Sequence, residues 1–300
     1  MKVIQSRNLT KFYGKTAALN DLTFEIEENT ITGLIGRNGA GKTTLLKIMA
    51  GHIQPTQGEL LVYSQKPFNN LERSASTILI DDSMTYPDSF RLVDILSEVA
   101  PFYGNWNGSL ANGLLKYFSF NPNQPHSNLS KGSKSTFNSI IGIASRCPLT
   151  LFDEPTTGMD SAIRKDFYKA LLKDYLEYPR TIILSSHLLN ELEEILEEIL
   201  LIKQGSKFLH LPVMELKELA VGIRGNAKTL QPFVEGKELI YKEEFAKDNL
   251  YVVLRKELLQ QEVEVIKQKG LEVFPISTDD LCVHLTASNR GGIDNVFKKD

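Results

Sequence analysis

The chain has 300 residues, of which 42% are apolar and 24% charged, and its formal net charge is −3. This composition fits a folded protein with room for one large and one small domain, and the near-neutral charge argues against nucleic acid as the main partner. The two cysteines, Cys147 and Cys282, are too few and too far apart for a disulfide framework or a zinc site. The first residues turn polar too soon for a signal peptide, and no apolar run approaches the ~18–20 residues that span a bilayer. If the protein works at a membrane, we therefore expect another chain to supply the spanning part.

Short apolar stretches in the first 30 residues predict strands. Residues 22–26 read LTFEI, an alternation typical of a partly antiparallel sheet. The apolar stretch Ile31–Ile35 predicts a buried strand, and 59–63 and 76–80 predict two more.

A glycine-rich loop follows the strand at Ile31–Ile35. Residues 36–43 read GRNGAGKT and fit the pattern G-x-x-x-x-G-K-[ST]. Glycines let successive backbone N–H groups curl around a triphosphate, Lys42 can reach the outer phosphates, and the Thr43 hydroxyl can ligate Mg²⁺. A predicted helix from Thr43 to about Ala50 directs its positive end at the anion. The alternative is an ordinary glycine-rich turn. The predicted phosphate contacts are Gly36, Arg37, Asn38, Gly39, Ala40, Gly41, Lys42, Thr43 and Thr44.

Residues 85–146 differ in character, because they combine many aromatic residues with apolar residues at helical spacing. We expect a mostly helical insertion here, and a helix over 134–144 at its end. The sheet is predicted to resume at 149–152 and at 181–184, so that strands alternating with helices give a parallel core sheet. A further helix is predicted from the spacing of Leu188, Leu192, Ile195 and Leu196.

Residues 149–155 read LTLFDEP, a predicted strand that ends in two acids. Asp153 can hold Mg²⁺, usually through a water, and Glu154 can polarise a water for attack on a γ-phosphate. An acid pair at a strand end is often only a surface edge. Beside a phosphate loop on a neighbouring strand, the catalytic interpretation is favoured.

The phosphate-binding signals stop after Gly205, and this point is our expected domain boundary. Residues 206–300 predict a small α/β domain, with strands at 250–254, 271–276 and 281–286 and a helix at 258–269. Its charges are mixed and form no basic patch. Support of a dimer is the default expectation for this domain.

Several ordered motifs add a family resemblance to these local patterns. Over residues 2–205 the chain resembles the ATP-binding subunit of an ABC transporter. LSKGS at 129–133 is similar to the ABC signature, TGMD at 157–160 to the D-loop, and SSH at 185–187 to the switch-histidine motif. Tyr13 lies where the family stacks an aromatic ring on adenine. The chain resembles the bacterial branch with an LSKG-type signature that is often encoded beside a GntR-type regulator.

The resemblance implies an ABC-type P-loop NTPase: an α/β fold with a RecA-like parallel core sheet, an antiparallel β subdomain, a helical insertion at about 85–146, and here a small C-terminal α/β domain. Two such domains close head to tail, with each ATP between the phosphate loop of one and the signature of the other. The resemblance assigns catalysis to Lys42, Glu154 and His187, and signature contacts with the nucleotide to Ser130 and Gly132. It gives Asp160 a role across the dimer. Tyr13 or His187 as a core residue, and Asp160 as a simple helix cap, are the alternatives.

The sequence departs from the family pattern at two places. Where the family carries a glutamine after the strand at 76–80, this chain reads IDDSMTYPD, so Asp81 or Asp82 must stand in near the metal. A carboxylate cannot donate a hydrogen bond as an amide does unless it is protonated. The signature has Lys131 and Ser133 where the common form, LSGGQ, has glycine and glutamine. We expect altered hydrolysis or coupling rather than loss of ATP binding.

The resemblance therefore implies an Mg²⁺-dependent ATPase at the cytoplasmic face of the cell membrane. It implies a separate transmembrane permease as partner, a homodimer or a heterodimer with a sister subunit, and export of a peptide, drug or toxic compound. The aromatic residues near Trp106 either dock on that permease or form the core of the insertion. One alternative is a soluble clamp on nucleic acid or the ribosome, which usually needs two ABC domains or a long coiled coil. Another is a regulatory ATP binder with little turnover.

Overall fold

The computed structural model of the chain describes residues 1–187, 189–245, 248–255 and 260–286. The chain divides into two compact units, 1–213 and 214–300. This division lies later than the boundary predicted at residue 205, because residues 206–212 form a strand of the larger unit's main sheet. None of the helices in these described parts combines the length and the apolar character needed to cross a bilayer.

The larger unit holds the predicted phosphate loop, the acid pair and the signature. Its strands are β1 (Lys2–Tyr13), β2 (Thr16–Glu27), β3 (Ile31–Ile35), β4 (Gln57–Val62), β5 (Thr77–Ile80), β6 (Leu149–Asp153), β7 (Thr181–Ser186), β8 (Glu198–Lys203) and β9 (Ser206–Pro212). Its helices are α1 (Lys42–Met49), α2 (Leu71–Ala75), α3 (Leu92–Val99), α4 (Gly108–Tyr117), α5 (Lys131–Ser145) and α6 (Ser161–Glu177). Two short 3₁₀ turns lie at Ala100–Phe102 and His126–Asn128.

One sheet of the larger unit is antiparallel and has the strand order β2-β1-β4. In β2 the apolar residues Leu22, Phe24 and Ile26 are buried, and the residues between them are exposed. This period of two puts one face of the strand on the core and the other in solvent. The antiparallel strands expected from the alternation are thereby confirmed.

The main sheet has the order β5-β6-β7-β3-β8-β9 and is parallel from β5 to β8, with β9 antiparallel at its edge. Every residue of β3, β5 and β7 is buried, as expected for parallel strands that are covered on both faces. Because parallel strands point the same way, the carboxyl ends of β5, β6, β7 and β3 lie at one edge of the sheet. The residues that follow these four strands are therefore brought together.

Residues 85–146 contain α3, α4, α5 and the two 3₁₀ turns. The helical spacing of apolar residues in α3 puts Leu92, Ile95 and Leu96 on the buried face of the helix. Helix α5 begins at Lys131, earlier than the predicted start at 134, because the Ser130 side chain caps its first turn.

One helix prediction in the larger unit was wrong. Residues 190–195 form turns rather than a helix, and Leu188 lies outside the described residues. The buried Leu192 and Ile195 explain the apolar spacing. Leu196 packs on β3, where a Cβ added to Gly33 would lie 2.5 Å from its Cδ1 atom. The apolar period thus reflects three inward-pointing side chains on a turn.

The smaller unit packs a four-stranded antiparallel sheet of order β11-β12-β10-β13 against helices. Its core includes Ile223, Leu230, Val252 and Ile266. The strands and the first two helices after β10 follow a β-α-β-β-α-β succession, which is the ferredoxin-like arrangement. The elements are α7 (Val213–Glu218), β10 (Ala220–Asn226), α8 (Ala227–Val234), β11 (Leu239–Phe245), β12 (Asn249–Arg255), α9 (Gln260–Gln268), β13 (Glu272–Pro275) and α10 (Thr278–Thr286).

Two sequence predictions for this unit fall on helices α9 and α10. The expected strand at 281–286 was wrong, because these residues belong to α10. The predicted helix at 258–269 is α9, although residues 258 and 259 lie outside the described residues.

Candidate active site

The chemistry predicted from the sequence gathers at the carboxyl edge of the main sheet. The phosphate loop (36–41) follows β3, and Asp153 and Glu154 stand at the end of β6. His187 follows β7, and Asp81 follows β5. Since β5, β6, β7 and β3 are consecutive in the sheet, these groups form one row.

The phosphate loop depends on glycine for physical reasons. Gly39 and Gly41 have φ angles of 81° and 106°, in the left-handed region. A Cβ atom added to Gly41 would lie 2.4 Å from the carbonyl oxygen of Ala18, and one added to Gly36 would lie 2.6 Å from that of Ile202. The loop is therefore wedged between β2 and β8 by backbone contacts. An α-helix leaves the N–H groups of its first turn without intrahelical partners, so the glycine loop and the start of α1 together suit a phosphate.

Lys42 connects the loop to the acid pair. Its side chain is 5% exposed, and its ammonium donates a hydrogen bond of 2.7 Å to the carbonyl oxygen of Gly36. The same Nζ atom lies 3.1 Å from Oε1 of Glu154. A buried ammonium needs such a partner, because an unpaired charge there is costly.

Glu154 and Asp153 are held by one serine. The hydroxyl of Ser185 donates to Oδ1 of Asp153 at 2.6 Å and accepts the backbone N–H of Glu154 at 2.9 Å. This is possible because Asp153 and Ser185 are opposite each other in the β6–β7 pairing. Glu154 itself adopts a left-handed φ of 47°, which turns the chain sharply at the strand end. Sequence reasoning missed this role of Ser185, and the only signal for it was its place in the SSH triplet.

His187 faces the same carboxylate from the neighbouring strand. Its Nδ1 atom lies 3.2 Å from Oε2 of Glu154, and its side chain is 47% exposed. The alternative of a buried core histidine is thus excluded. Glu154 has Lys42 on one oxygen and His187 on the other, so the three predicted catalytic residues are in direct contact.

The oxygen-bearing groups next to the loop suit a magnesium ion. The Thr43 hydroxyl is exposed in the first turn of α1, and the Asp153 carboxylate is half-buried and oriented by Ser185. Hydroxyl and carboxylate oxygens are the ligands that Mg²⁺ prefers, and it keeps waters in its remaining positions.

The two acids that replace the usual glutamine lie at the end of β5. Oδ1 of Asp81 accepts hydrogen bonds from the backbone N–H and the hydroxyl of Ser83, at 3.0 and 2.7 Å. Asp82 is exposed. Asp81 is adjacent to the acid pair, because Ile80 pairs with Phe152 in the sheet. One of its oxygens is therefore committed to a local turn, and the other remains for a water or a metal shell.

Tyr13 lies on the hairpin that supports the loop. Its ring is 52% exposed, and the ammonium of Lys11 is 5.4 Å from the ring centroid. Tyr13 pairs with Thr16, and Ala18, two residues further along β2, touches Gly41. A core role for this ring is excluded, and its position beside the loop suits the predicted stacking on adenine.

The signature loop (129–133) lies against the D-loop (157–160). Ser130 is the N-cap of α5, where its Oγ accepts the backbone N–H of Ser133 at 3.2 Å. A Cβ added to Gly132 would lie 2.1 Å from the carbonyl oxygen of Gly158, so the two backbones touch. Asp160 caps α6, since its Oδ1 accepts the N–H groups of Ala162 and Ile163 at 3.0 and 2.9 Å. The cap predicted as the alternative for Asp160 is therefore present.

Comparison with known proteins places this geometry in a family. The family model described as ABC transporter matches residues 19–157, which include the phosphate loop, the signature and the acid pair. A Methanocaldococcus jannaschii protein, named as an uncharacterized ABC transporter ATP-binding protein, is 30% identical over 213 residues, covering 67% of this chain and 74% of the relative. The chain belongs to the ABC transporter family. It is one of the family's ATP-binding proteins and carries the ABC ATPase domain.

Other ABC relatives carry more specific names. The ABC transporter ATP-binding protein YtrB of Bacillus subtilis is 28% identical over 225 residues, which is 74% of this chain and 76% of that protein. The bacitracin transport ATP-binding protein BcrA of Bacillus licheniformis is 26% identical over 220 residues, 72% of each chain.

Solved ABC structures share the fold. The ATP-binding subunit of an ABC transporter superposes with a TM-score of 0.64 at 21% identity, over 72% of this chain and 92% of that one. An ATP-binding cassette solved as a dimer with ADP and Pi gives a TM-score of 0.62 at 21% identity, over 70% and 98%. The predicted fold class, an ABC-type P-loop NTPase with a parallel core sheet, is confirmed.

Proposed function

We propose that the chain hydrolyses ATP at the cytoplasmic face of the cell membrane and thereby powers a separate permease. The observation that carries this proposal is the contact of Glu154 with both Lys42 and His187 beside a glycine cradle. The carboxylate is held between a cation and an imidazole at the edge where phosphates would lie. This arrangement supports phosphoryl transfer to water, because that reaction depends on positioning and on charge stabilisation.

Each residue has a role in this scheme. The amides of 36–41 and the start of α1 hold the β- and γ-phosphates of ATP, and Lys42 neutralises charge that develops on them. Thr43 and Asp153 would hold Mg²⁺, with Asp81 or Asp82 in its water shell, and the ion would neutralise further phosphate charge. Glu154 orients the attacking water and accepts its proton, while His187 steers Glu154 and the γ-phosphate. Tyr13 stacks on the adenine.

The second half of the site comes from another subunit. Ser130 is exposed, and its hydroxyl is hydrogen-bonded to Ser133 of its own helix. The Lys42 ammonium contacts Gly36 and Glu154. We infer that Ser130, Gly132 and Asp160 act on the ATP of a second ABC subunit, either an identical copy or a sister chain. Head-to-tail closure then places the start of α5 against the γ-phosphate.

The test of this mechanism uses Glu154→Gln, which keeps the shape of Glu154 but removes the proton acceptor. We expect the variant to bind ATP, to hydrolyse it at least about 100-fold more slowly, and to accumulate as an ATP-dependent dimer in light scattering. Lys42→Ala in the same background is the control, because it should abolish the dimer by weakening ATP binding. A monomeric Glu154→Gln variant at saturating ATP would contradict closure of this chain with itself. Wild-type turnover near zero with the permease bound would favour the regulatory alternative.

The helical insertion carries the proposed docking surface for the permease. Phe102, in the 3₁₀ turn after α3, is 74% exposed, whereas Trp106 is only half-exposed. A large apolar side chain on such a turn is suited to burial by a partner. A gene adjacent to that of this chain and encoding about six apolar spans would identify the permease.

The docking proposal is tested by co-purification of that permease with Phe102→Glu. We expect the variant to retain less permease than the wild type. Leu176→Glu is the matched control, because Leu176 is 70% exposed on α6, outside the insertion. Equal losses in both variants would contradict a specific role of the insertion.

The proposed cargo is an antimicrobial peptide that is exported. Support comes from relatives named for bacitracin transport and for lantibiotic transport, the latter in Streptococcus pyogenes at 26% identity. The LSKGS signature and the acidic residues 81–82 support the membership of this chain in the branch that is encoded beside GntR-type regulators. Co-expression with the permease should raise the inhibitory concentration of such a peptide, and Glu154→Gln should cancel the increase. Unchanged sensitivity across a peptide panel would contradict this choice of cargo.

A further inference from the structure

A half-buried ion pair outside the row of catalytic residues joins two elements of the larger unit. Nη1 of Arg164, on α6, lies 3.0 Å from Oε1 of Glu191, in the turn segment (189–195) that follows His187. The two side chains are 23% and 30% exposed. Neither residue takes part in the mechanism above. A pair at this depth is screened less by salt than an exposed pair, so it can hold the two elements together.

The ion pair spans a gap between these elements. Arg164 and Glu191 both line a cavity of about 520 Å³ between α6 and the turn segment. The turn segment is attached to the core by apolar side chains, since Leu189 and Leu192 are buried. Packing therefore holds the segment on the core, and the ion pair links it sideways to α6.

Helix α6 is also linked to the loop that follows the acid pair. Tyr168, one turn after Arg164, is 6% exposed, and its hydroxyl donates to the Thr156 hydroxyl at 3.3 Å. Residues four apart lie on the same face of a helix, so these two contacts start from one face of α6. Thr156 follows Glu154 by two residues. One face of α6 therefore contacts both the loop that leaves Glu154 and the turn segment.

His187 is the first residue after β7, which ends at Ser186. Its Nδ1 atom lies 3.2 Å from Oε2 of Glu154, and its side chain is 47% exposed. Because the strand ends at Ser186, the position of His187 also depends on where the residues after it are attached. Glu191, four residues further along the chain, supplies the attachment to α6.

We propose that Arg164 and Glu191 are positioning residues that hold His187 against Glu154, and that they act on hydrolysis and not on ATP binding. The inference rests on the proposed role of His187 in the reaction. Loss of the ion pair lets the turn segment move away from α6, so that His187 spends less time in contact with Glu154. The rate falls as a result, because the reaction depends on the placement of its catalytic groups.

The experiment measures kcat and KM for ATP in Arg164→Met, which removes the charge and keeps an unbranched side chain. We expect kcat to fall about fivefold and KM to stay within about twofold, because the phosphate loop is unchanged. Arg164→Lys keeps the charge and should recover part of the lost rate. A wild-type kcat for Arg164→Met would overturn the inference.

A double-mutant cycle with His187→Ala, measured in single turnovers, separates an effect through His187 from any other effect. If Arg164 acts through His187, Arg164→Met should lower the rate no further once the imidazole is removed. An equal fall in both backgrounds would contradict the inference, because Arg164 would then act elsewhere. A wild-type kcat for His187→Ala itself would instead contradict the proposed role of His187, whatever the result for Arg164.

The His187 imidazole, labelled with ¹³C, gives a readout that does not depend on the rate. Its resonance should shift in Arg164→Met, because the contact with Glu154 is weakened. An unshifted resonance would show that the ion pair does not position His187.

The matched control is Lys237→Met in the smaller unit. Nζ of Lys237 lies 2.8 Å from Oε1 of Glu262, and the two side chains are 19% and 39% exposed. This pair is similar to Arg164–Glu191 in length and burial, so its loss should lower the Tm by a similar amount. Its kcat and its His187 resonance should stay like those of the wild type. An equal fall of kcat in Lys237→Met and Arg164→Met would assign the effect to stability alone and reject the positioning role.

Discussion

The phosphate-loop half and the signature half of this site are built in different ways. The loop is wedged between β2 and β8, and Lys42 is almost fully buried with two partners in its own chain. Ser130, in contrast, is exposed and bonded within its own helix. The first half is therefore preorganised by the fold. The signature half has a fixed backbone, but the γ-phosphate on which it would act has to be brought by a second subunit. This difference predicts that variants of the two halves fail in different assays.

The largest expected effect comes from Lys42→Ala in the preorganised half. Removal of the buried ammonium should lower ATP affinity and reduce the hydrolysis rate by about 100-fold or more, because the phosphate charge loses its nearest counterion. Nucleotide titration and a steady-state ATPase assay measure the two quantities. Lys47→Ala, in the last turn of α1, is the control and should remain close to wild type. Undiminished ATP binding by Lys42→Ala would show that the loop does not hold the nucleotide.

The second prediction separates two effects in the loop: the strain of a left-handed φ and the steric clash of an added Cβ atom. Gly41→Ala places a Cβ atom 2.4 Å from a carbonyl oxygen at a left-handed φ, so we expect a loss of about 3 kcal/mol or more in the free energy of unfolding. Gly39→Ala has the same kind of φ but no atom within 4 Å, so about 1 kcal/mol is expected. Urea unfolding measures both. Equal losses would show that the wedge between β2 and β8 contributes nothing.

The third prediction concerns the signature half. Ser130→Ala should reduce the hydrolysis rate about tenfold while ATP affinity of the monomer stays within about twofold, because Ser130 would touch only the ATP of a second copy. Ser130→Ala also removes the N-cap of α5, which lowers the stability of the chain. Asn107→Ala therefore serves as control. Asn107 caps α4 by accepting the N–H of Leu110 at 2.9 Å, and its loss should cost a similar amount of stability. If both variants hydrolyse ATP at the same rate, Ser130 is only a cap.

The smallest expected effect is a pH dependence of stability near the signature half. Burial lowers the pKa of His126 below its usual value near 6.5. The unfolded chain then binds more protons than the folded chain as the pH falls through that value, so the free energy of unfolding decreases on acidification. Urea unfolding at pH 7.5 and 5.5 should show this decrease, and His126→Gln should reduce it. An equal decrease in the variant would assign it to other groups.

Local sequence patterns predicted the preorganised half well for a physical reason. The glycine pattern dictates the backbone of the loop, and the acids follow the short, mostly apolar stretch 149–152, whose length favoured the buried strand β6. Ser185 could not be recognised in this way, because its role depends on the β6–β7 pairing that sets it opposite Asp153. The contact between Gly132 and Gly158 likewise depends on how two distant loops pack.

The failed predictions arose where one apolar pattern fits two structures. Residues 281–286 read LCVHLT, which alternates like a strand, yet α10 begins at Thr278 and buries Leu281 and Cys282 on neighbouring positions. At 190–195 inward-pointing side chains on a turn imitated the period of a helix. In both cases the tertiary packing decided between structures that the periodicity alone does not separate.

Gly132 and Gly158 bring the backbones of the two loops into direct contact, and the Ser135 hydroxyl also donates to the carbonyl oxygen of Thr157 at 2.9 Å. A shift of one loop would therefore displace the other. The N-terminal ends of α5 and α6 then form one rigid surface. A second subunit would therefore bind to one preformed surface and would not have to order two mobile loops. Less motional freedom is forfeited on association when a surface is already rigid.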